Sequence, residues 1–351
     1  GKQVLEFELL LNEKDYNLFR LRKDIHRNLE EKNLDTVVLM GHINPDGDAV
    51  GSVMGLAHYI KVNYPQYKVF PYLGKNMDKG AAKMVQKDRV FAPFKMPELS
   101  EGRYGVIVCD TATLKRLVGL EFYENAAASM VIDHHVSNEG FGDINITKKA
   151  VACAENIYYL LDQDRLQKVA REECPTAADY IYMGILHDTG CFTRNGISTM
   201  EAMTGLLKLG VKHEYVMETM HNDTLEILEK RARLLQRVEC VLDGKVAYIC
   251  MNRQESVEEN ISYADLHSMS PILCACEDIG LAFIMYEEET RWHCSFRSKP
   301  GWLDVNKLLE PFGGGGHAEA AGLRVKVKDI TEMREKILER VQELANNIAF
   351  N

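Results

Sequence analysis

The chain has 351 residues, 46% of them hydrophobic and 27% charged, which is enough apolar content for two ordinary domains with real cores. A net charge of −10 argues against a groove that tracks a long polyanionic duplex. No apolar run is long enough to cross a membrane as a helix, and the start shows no basic region followed by an apolar core, so a cytoplasmic location is expected.

In chain order, residues 14–32 repeat apolar positions at helical spacing. TVVLM (36–40) reads as a buried strand, and GHINPDGDAVGS follows, with a helix to about residue 63 after it. YKVFPYL (67–73), YGVIVCD (104–110) and SMVIDHH (129–135) read as further strands. Helices are expected at 151–163, 175–187 and 199–209. Strands alternating with helices predict a parallel sheet with helices on both faces, over residues 1–222. TLEILEKRARLLQRVECVL reads as one long helix, with residues 223–237 as a connector. Residues 238–351 then read as a smaller α+β domain, with strands KVAYICM, GLAFIMYEE, RWHCSFRS and GLRVKV and helices at LDVNKLLEPF and ITEMREKILERVQELA.

Nine cysteines are scattered without a disulfide framework. Cys109, Cys240 and Cys250 stand in apolar runs and read as reduced core residues. Cys274 and Cys276 form one CxC, but no second pair completes a tetrahedral metal site.

The strand ends carry the chemistry. In open parallel sheets, ligands bind beyond the carboxyl ends of the strands. There the sequence places His42, Asp46 and Asp48, then Asp110, then Asp133, His134 and His135, and, on a helix, Asp188. So many carboxylates persist together when cations neutralise them, and a mixed imidazole and carboxylate set suits Mn, Fe, Co or Zn. Gly47 and Gly51 would let the backbone turn tightly around such a site. His187 reads as the neighbour of a ligand, with Asp188 the better candidate. Each motif has a bland reading as well. Asp-Gly-Asp is a common turn, and Asp110 could merely cap a helix.

In the C-terminal half, FGGGGH offers backbone N–H groups with no side chains in the way, a concave anion nest formed by Gly314, Gly315 and Gly316 beside His317. Arg297 lies upstream and can grip phosphate bidentately. A P-loop is excluded by the missing GK[ST].

Together, GHINPDGD, VIVCD, Asp133-His134-His135, HDTG and FGGGGHAEAAG resemble, in order, the motifs of the DHH phosphoesterase superfamily with its associated C-terminal domain. The layout is similar to that of the bacterial oligoribonuclease and pAp phosphatase group, the nanoRNases. The resemblance implies two divalent cations, manganese by family. His42, Asp46 and Asp110 would hold one, and Asp48, Asp110, His134 and Asp188 the other. Asp133 would orient a ligand histidine, and His135 would assist at the phosphate. Arg297, Ser298 and His317 would hold the substrate. Two such cations, about 3.5–4 Å apart, share and activate a water. Implied substrates are short RNA oligonucleotides, pAp or linear dinucleotides, not long duplexes, and a homodimer is plausible. A pyrophosphatase or exopolyphosphatase, or a noncatalytic nucleotide sensor, are the alternatives. The chain departs from the pattern at Ala152-Cys153-Ala154-Glu155, where many relatives carry hydroxyl side chains.

Overall fold

The computed structural model describes residues 34–95, 99, 102–166, 174–192, 196–221, 223–289, 291–327 and 329–348. The expected helix at 14–32 lies outside them. The chain divides into two compact units, residues 1–222 and 223–351.

The first unit is built on five parallel strands. In chain order its elements are β1 (Thr36–Met40), α1 (Gly47–Asn63), β2 (Lys68–Tyr72), α2 (Lys79–Gln86), β3 (Gly105–Cys109), β4 (Ala128–Asp133), β5 (Ile144–Thr147), α3 (Cys153–Leu160), α4 (Ala177–Asp188), α5 (Ile197–Lys208) and α6 (His213–His221). The strand order is β2-β1-β3-β4-β5. Pro71 is tolerated in β2 because that strand is an edge. β1 and β3 are buried throughout and, apart from Thr36 and Gly105, are runs of apolar side chains, as strands covered on both faces are.

Alternate residues divide between two cores. Val37, Leu39, Ile107, Cys109, Met130 and Ile132 meet helices α1, α3 and α4. Val38, Met40, Val106, Val108 and Val131 meet Leu114, Leu117, Val118, Leu120 and Phe122 on the other side. Among the described residues that second face is covered by a segment with only short helical turns, Leu114–Arg116 and Leu120–Glu124, rather than by long helices. Strand β5, INIT, was not expected; it is short and lies at the other edge, so its pattern is weak.

Glycines let α1 and α4 pack in close contact. A Cβ on Gly51 would lie 2.5 Å from the Tyr180 carbonyl oxygen, and one on Gly55 2.7 Å from Ile181 Cγ1. Gly47 and Gly51 are therefore helical residues required by close approach, not by a tight turn.

The second unit holds a six-stranded mixed sheet of order β10-β11-β9-β8-β7-β6. Besides a short helix at Arg253–Glu258, its elements are α7 (Leu225–Gln236), β6 (Glu239–Val241), β7 (Val246–Met251), α8 (Tyr263–His267), α9 (Met269–Cys274), β8 (Leu281–Glu288), β9 (Arg291–Ser298), α10 (Val305–Leu309), β10 (Gly315–Gly316), β11 (Ala320–Val325) and α11 (Thr331–Ile348). Only β7 and β8 pair in parallel. Phe283 stacks between Tyr248 and Phe296, with ring centroids 4.9 Å from each, under Ile337 and Val341 of α11. On the opposite face, Leu234 of α7 joins Ala247, Ile249, Ile284 and Leu266.

The long helix expected at 224–242 stops at Gln236. Arg237 caps it, with its guanidinium bound to Glu255 and Glu259. The β-branched VECV that follows pairs with β7 instead. Cys240 sits on this edge strand and is exposed, not in a core as its apolar neighbours suggest. Among the described residues no helix is long and apolar enough to cross a membrane.

Candidate metal centre

Three strands of the parallel sheet, β1, β3 and β4, deliver polar residues at or just past their carboxyl ends, and α4 delivers Asp188 at its own. Asp46 is the N-cap of α1: its Oδ1 accepts the N–H groups of Asp48 and Ala49 at 3.0 and 3.1 Å. Its Oδ2 lies 3.9 Å from His42 Nε2. His42 follows β1 and is buried, with Nε2 3.7 Å from Asp110 Oδ2.

Asp110 follows β3 with φ at 51°, in the left-handed region that side chains other than glycine seldom adopt. The twist aims its two oxygens in different directions. Oδ2 faces His42, while Oδ1 lies 3.4 Å from His134 Nε2 and 3.5 Å from His135 Nδ1. Oδ1 is buried and has no hydrogen-bond partner. A strained backbone at such a position is a known mark of functional sites.

His134 Nε2 is also 3.4 Å from Asp188 Oδ2 and 3.8 Å from Asp48 Oδ2. Its Nδ1 points at the Ala150 carbonyl, 3.4 Å away, an arrangement that leaves Nε2 as the inward lone pair. Asp48 is fully buried against the start of α3. The N–H groups of Cys153 and Ala154 donate to its two oxygens at 2.6 and 2.9 Å. At Ala152-Cys153-Ala154 the bonds to Asp48 are thus made by backbone groups, which need no hydroxyl side chain. Glu155 turns away to accept the hydroxyls of Ser198 and Thr199 at 2.7 and 2.8 Å.

Asp133 is saturated. Oδ1 accepts the His134 N–H and His135 Nδ1, both at 2.8 Å, and Oδ2 accepts Asn138 Nδ2 at 2.6 Å. It orients the His135 ring and the backbone of His134, not the His134 ring. Asn138 was missed by sequence reasoning; its position three residues beyond the second histidine was the available signal.

The electrostatics agree with this division. Burial, together with Asp110 and Asp188, pushes the Asp48 carboxyl well above its ordinary range. Burial likewise raises Asp110. Asp133 stays low: burial opposes its charge, but the bonds from His135 and Asn138 outweigh it. Burial also opposes a charge on His134, yet Asp110, Asp48 and Asp188 raise it to about 10. This mutual repulsion is what divalent cations relieve. Ligand atoms of His42, Asp46 and Asp110, and those of Asp48, His134 and Asp188, each lie within 4.8 Å of one another, so both groups could hold a metal ion. The unpartnered Asp110 Oδ1 and the mixed donor set fit such an ion.

In the second unit, the glycine segment is a hairpin strand rather than an open nest. The N–H groups of Gly313, Gly314, Gly316 and His317 donate to Glu310 O, Leu309 O, Asn306 Oδ1 and Ala320 O. The glycines are needed sterically. A Cβ on Gly314 would lie 2.8 Å from Leu309 Cβ, and Gly316, at φ 156°, would place one 2.5 Å from the Ala320 carbonyl oxygen. Gly315 pairs with Gly322. Ser298 is buried, and its hydroxyl accepts the Leu303 N–H at 3.2 Å. Arg297 pairs with Ala320, the residue whose carbonyl accepts the His317 N–H, so Arg297 and His317 share one end of the sheet.

A parallel sheet with imidazoles and carboxylates converging past its strand ends, followed by a mixed-sheet unit, defines a phosphoesterase of the DHH type. Residues 36–185 match the DHH family, N-terminal domain, and residues 243–346 match the DHHA1 domain; the chain is a DHH-family protein carrying both. It is 25% identical over 299 residues to the bifunctional oligoribonuclease and PAP phosphatase NrnA of Bacillus subtilis, covering 83% of this chain and 90% of that protein. It is 28% identical over 296 residues to the probable bifunctional oligoribonuclease and PAP phosphatase NrnA of Streptococcus mutans, with the same coverage. Its fold is similar to the crystal structure of an exopolyphosphatase-related protein from Bacteroides fragilis. There the TM-score is 0.77 at 21% identity, covering 93% of this chain and 97% of that one.

Proposed function

We propose that this protein hydrolyses phosphoester bonds in short oligoribonucleotides such as pApA and removes the 3′-phosphate of pAp. Two divalent cations, manganese by the family resemblance, would occupy the cluster. His42, Asp46 and Asp110 hold one. Asp48, Asp110, His134 and Asp188 hold the other. The observation that carries this reading is the Asp110 carboxylate, set between His42 and His134 with one oxygen toward each. The names of the two NrnA relatives support the substrate class.

Bound here, the cations would activate a water and neutralise phosphoryl charge. The chain's own residues do the rest. Asp133 and Asn138 hold His135 with Nδ1 engaged, so its outer nitrogen meets a phosphoryl oxygen. The bond to Asp133 also raises the His135 pKa, which favours its donating form. Arg297 and His317 anchor the nucleotide through its phosphate, in place of the backbone nest.

Replacing Arg297 tests the assignment. Arg297→Ala raises KM for pApA and leaves hydrolysis of bis(p-nitrophenyl) phosphate unchanged. Equal loss on both substrates removes Arg297 as a nucleotide anchor.

A further inference from the structure

His187 has no place in either ligand group, and its adjacency to Asp188 suggests only a neighbour. The fold places it within the cluster. Its Nδ1 lies 3.2 Å from Asp188 Oδ1. Ligand atoms of Asp46, His187 and Asp188 lie within 4.8 Å of one another, the same closeness that relates His42 to Asp46 and Asp110. Space for the ring depends on one missing side chain. A Cβ on Gly47 would fall 2.7 Å from His187 Cβ and Cγ and 2.8 Å from Cδ2.

Three chemistries would explain an imidazole between two carboxylates. A phosphate contact needs an N–H turned toward the substrate, whereas the carboxylates on both sides of this ring, Asp46 and Asp188, are metal ligands in the reading above and leave its free nitrogen beside the cation. An ion pair needs the ring protonated and adds positive charge where a cation is to bind. A metal ligand needs only the neutral ring, whose lone pair adds a donor without adding charge. Nitrogen with carboxylate oxygens is also the mixed set of the two principal groups.

We propose that His187 is a supplementary ligand of the metal centre, holding a divalent cation together with Asp46 and Asp188. This rests on the metal-centre reading above and adds a residue to it.

The test is Mn²⁺ binding to the full chain, followed by the electron paramagnetic resonance signal of free Mn²⁺. Wild type, His187→Ala and His187→Gln are titrated in parallel. The proposal expects at least one class of bound Mn²⁺ to weaken tenfold or more in both variants, since even the loss of an outer partner costs about 10–100-fold. It also expects one fewer imidazole ¹⁴N coupling in the spin-echo spectrum of the bound ion. Gln keeps a hydrogen bond to Asp188 but lacks the ring nitrogen, so recovery of affinity in His187→Gln would reduce His187 to a positioning residue and overturn the proposal. Unchanged or tighter binding in His187→Ala would overturn it too, as the mark of an imidazolium merely paired with the carboxylates. Should His187→Ala fail to fold, the Gln variant alone decides. A wild type that binds no Mn²⁺ would sink the metal centre itself. Wild-type binding matched by both variants sinks only this inference.

Discussion

Asp110 links backbone strain to the proposed chemistry, and two substitutions separate them. The residue holds φ at 51° while presenting one oxygen to each histidine. Alanine there removes the carboxylate but keeps the Cβ, so the left-handed conformation still costs about 1–2 kcal/mol. Glycine removes the carboxylate and that cost, while loosening the unfolded chain by about 0.4–1 kcal/mol. The difference leaves Asp110→Gly more stable than Asp110→Ala by about 1 kcal/mol. For a unit of this size that is about 2–4 °C in melting temperature. Both variants should lose hydrolysis completely. Melting in EDTA measures the first effect without any contribution from bound metal, and turnover of pApA with Mn²⁺ measures the second. If Ala melts at or above Gly, the strain argument is wrong. If either variant keeps wild-type turnover, Asp110 does not serve both cations.

Three further outcomes are expected. Gly184→Ala puts a Cβ 2.6 Å from Ala154 Cβ and 3.0 Å from Asp48 Oδ1; overpacking of about 1–3 kcal/mol exceeds the helix-propensity gain of about 1 kcal/mol, so the protein loses about 1 kcal/mol and binds Mn²⁺ more weakly, as urea melts and metal titration will measure. His58→Ala removes the partner 2.6 Å from the Asp88 carboxylate, which keeps the Tyr180 hydroxyl and the N–H groups of Val90 and Phe91, and costs about 2 kcal/mol. Burial opposes the Asp88 charge but the His58 bond lowers its pKa, so this stabilisation is present above the ordinary value of 3.8 and fades as pH falls below it; a gap in melting temperature that widens in acid would contradict the assignment. Finally, Mn²⁺ must displace the proton that the surrounding carboxylates hold on His134, whose pKa is about 10 without metal. Apparent affinity should therefore rise about tenfold per pH unit between pH 6.5 and 8.5, with proton release visible by calorimetry, and a flat profile would refute it.

The parallel sheet and the principal cluster were legible because each buried strand is an unbroken apolar run that stops at an acid or imidazole. Asp110 and Asp133 stand at such boundaries, His42 and Asp46 follow β1 closely, and Asp188 ends a helix; the rule that sites form past strand ends brought them together. Where reading failed, it failed on what sequence does not carry. FGGGGH suggested free N–H groups, but the register of β10 with β11 and the Asn306 side chain occupy them. The helical spacing of α7 ran on into VECV, where a partner strand outweighs local pattern. Adjacency to Asp188 likewise could not show that Gly47 leaves room for the His187 ring beside Asp46.

The central claim is metal-dependent hydrolysis of short RNA. Purified protein, with and without added Mn²⁺, should be given a 5-mer RNA, a 24-mer RNA and pyrophosphate in parallel. The account predicts release of mononucleotides from the 5-mer, only with Mn²⁺, and little product from the other two. Turnover of pyrophosphate alone, or of the 24-mer as fast as the 5-mer, would contradict it.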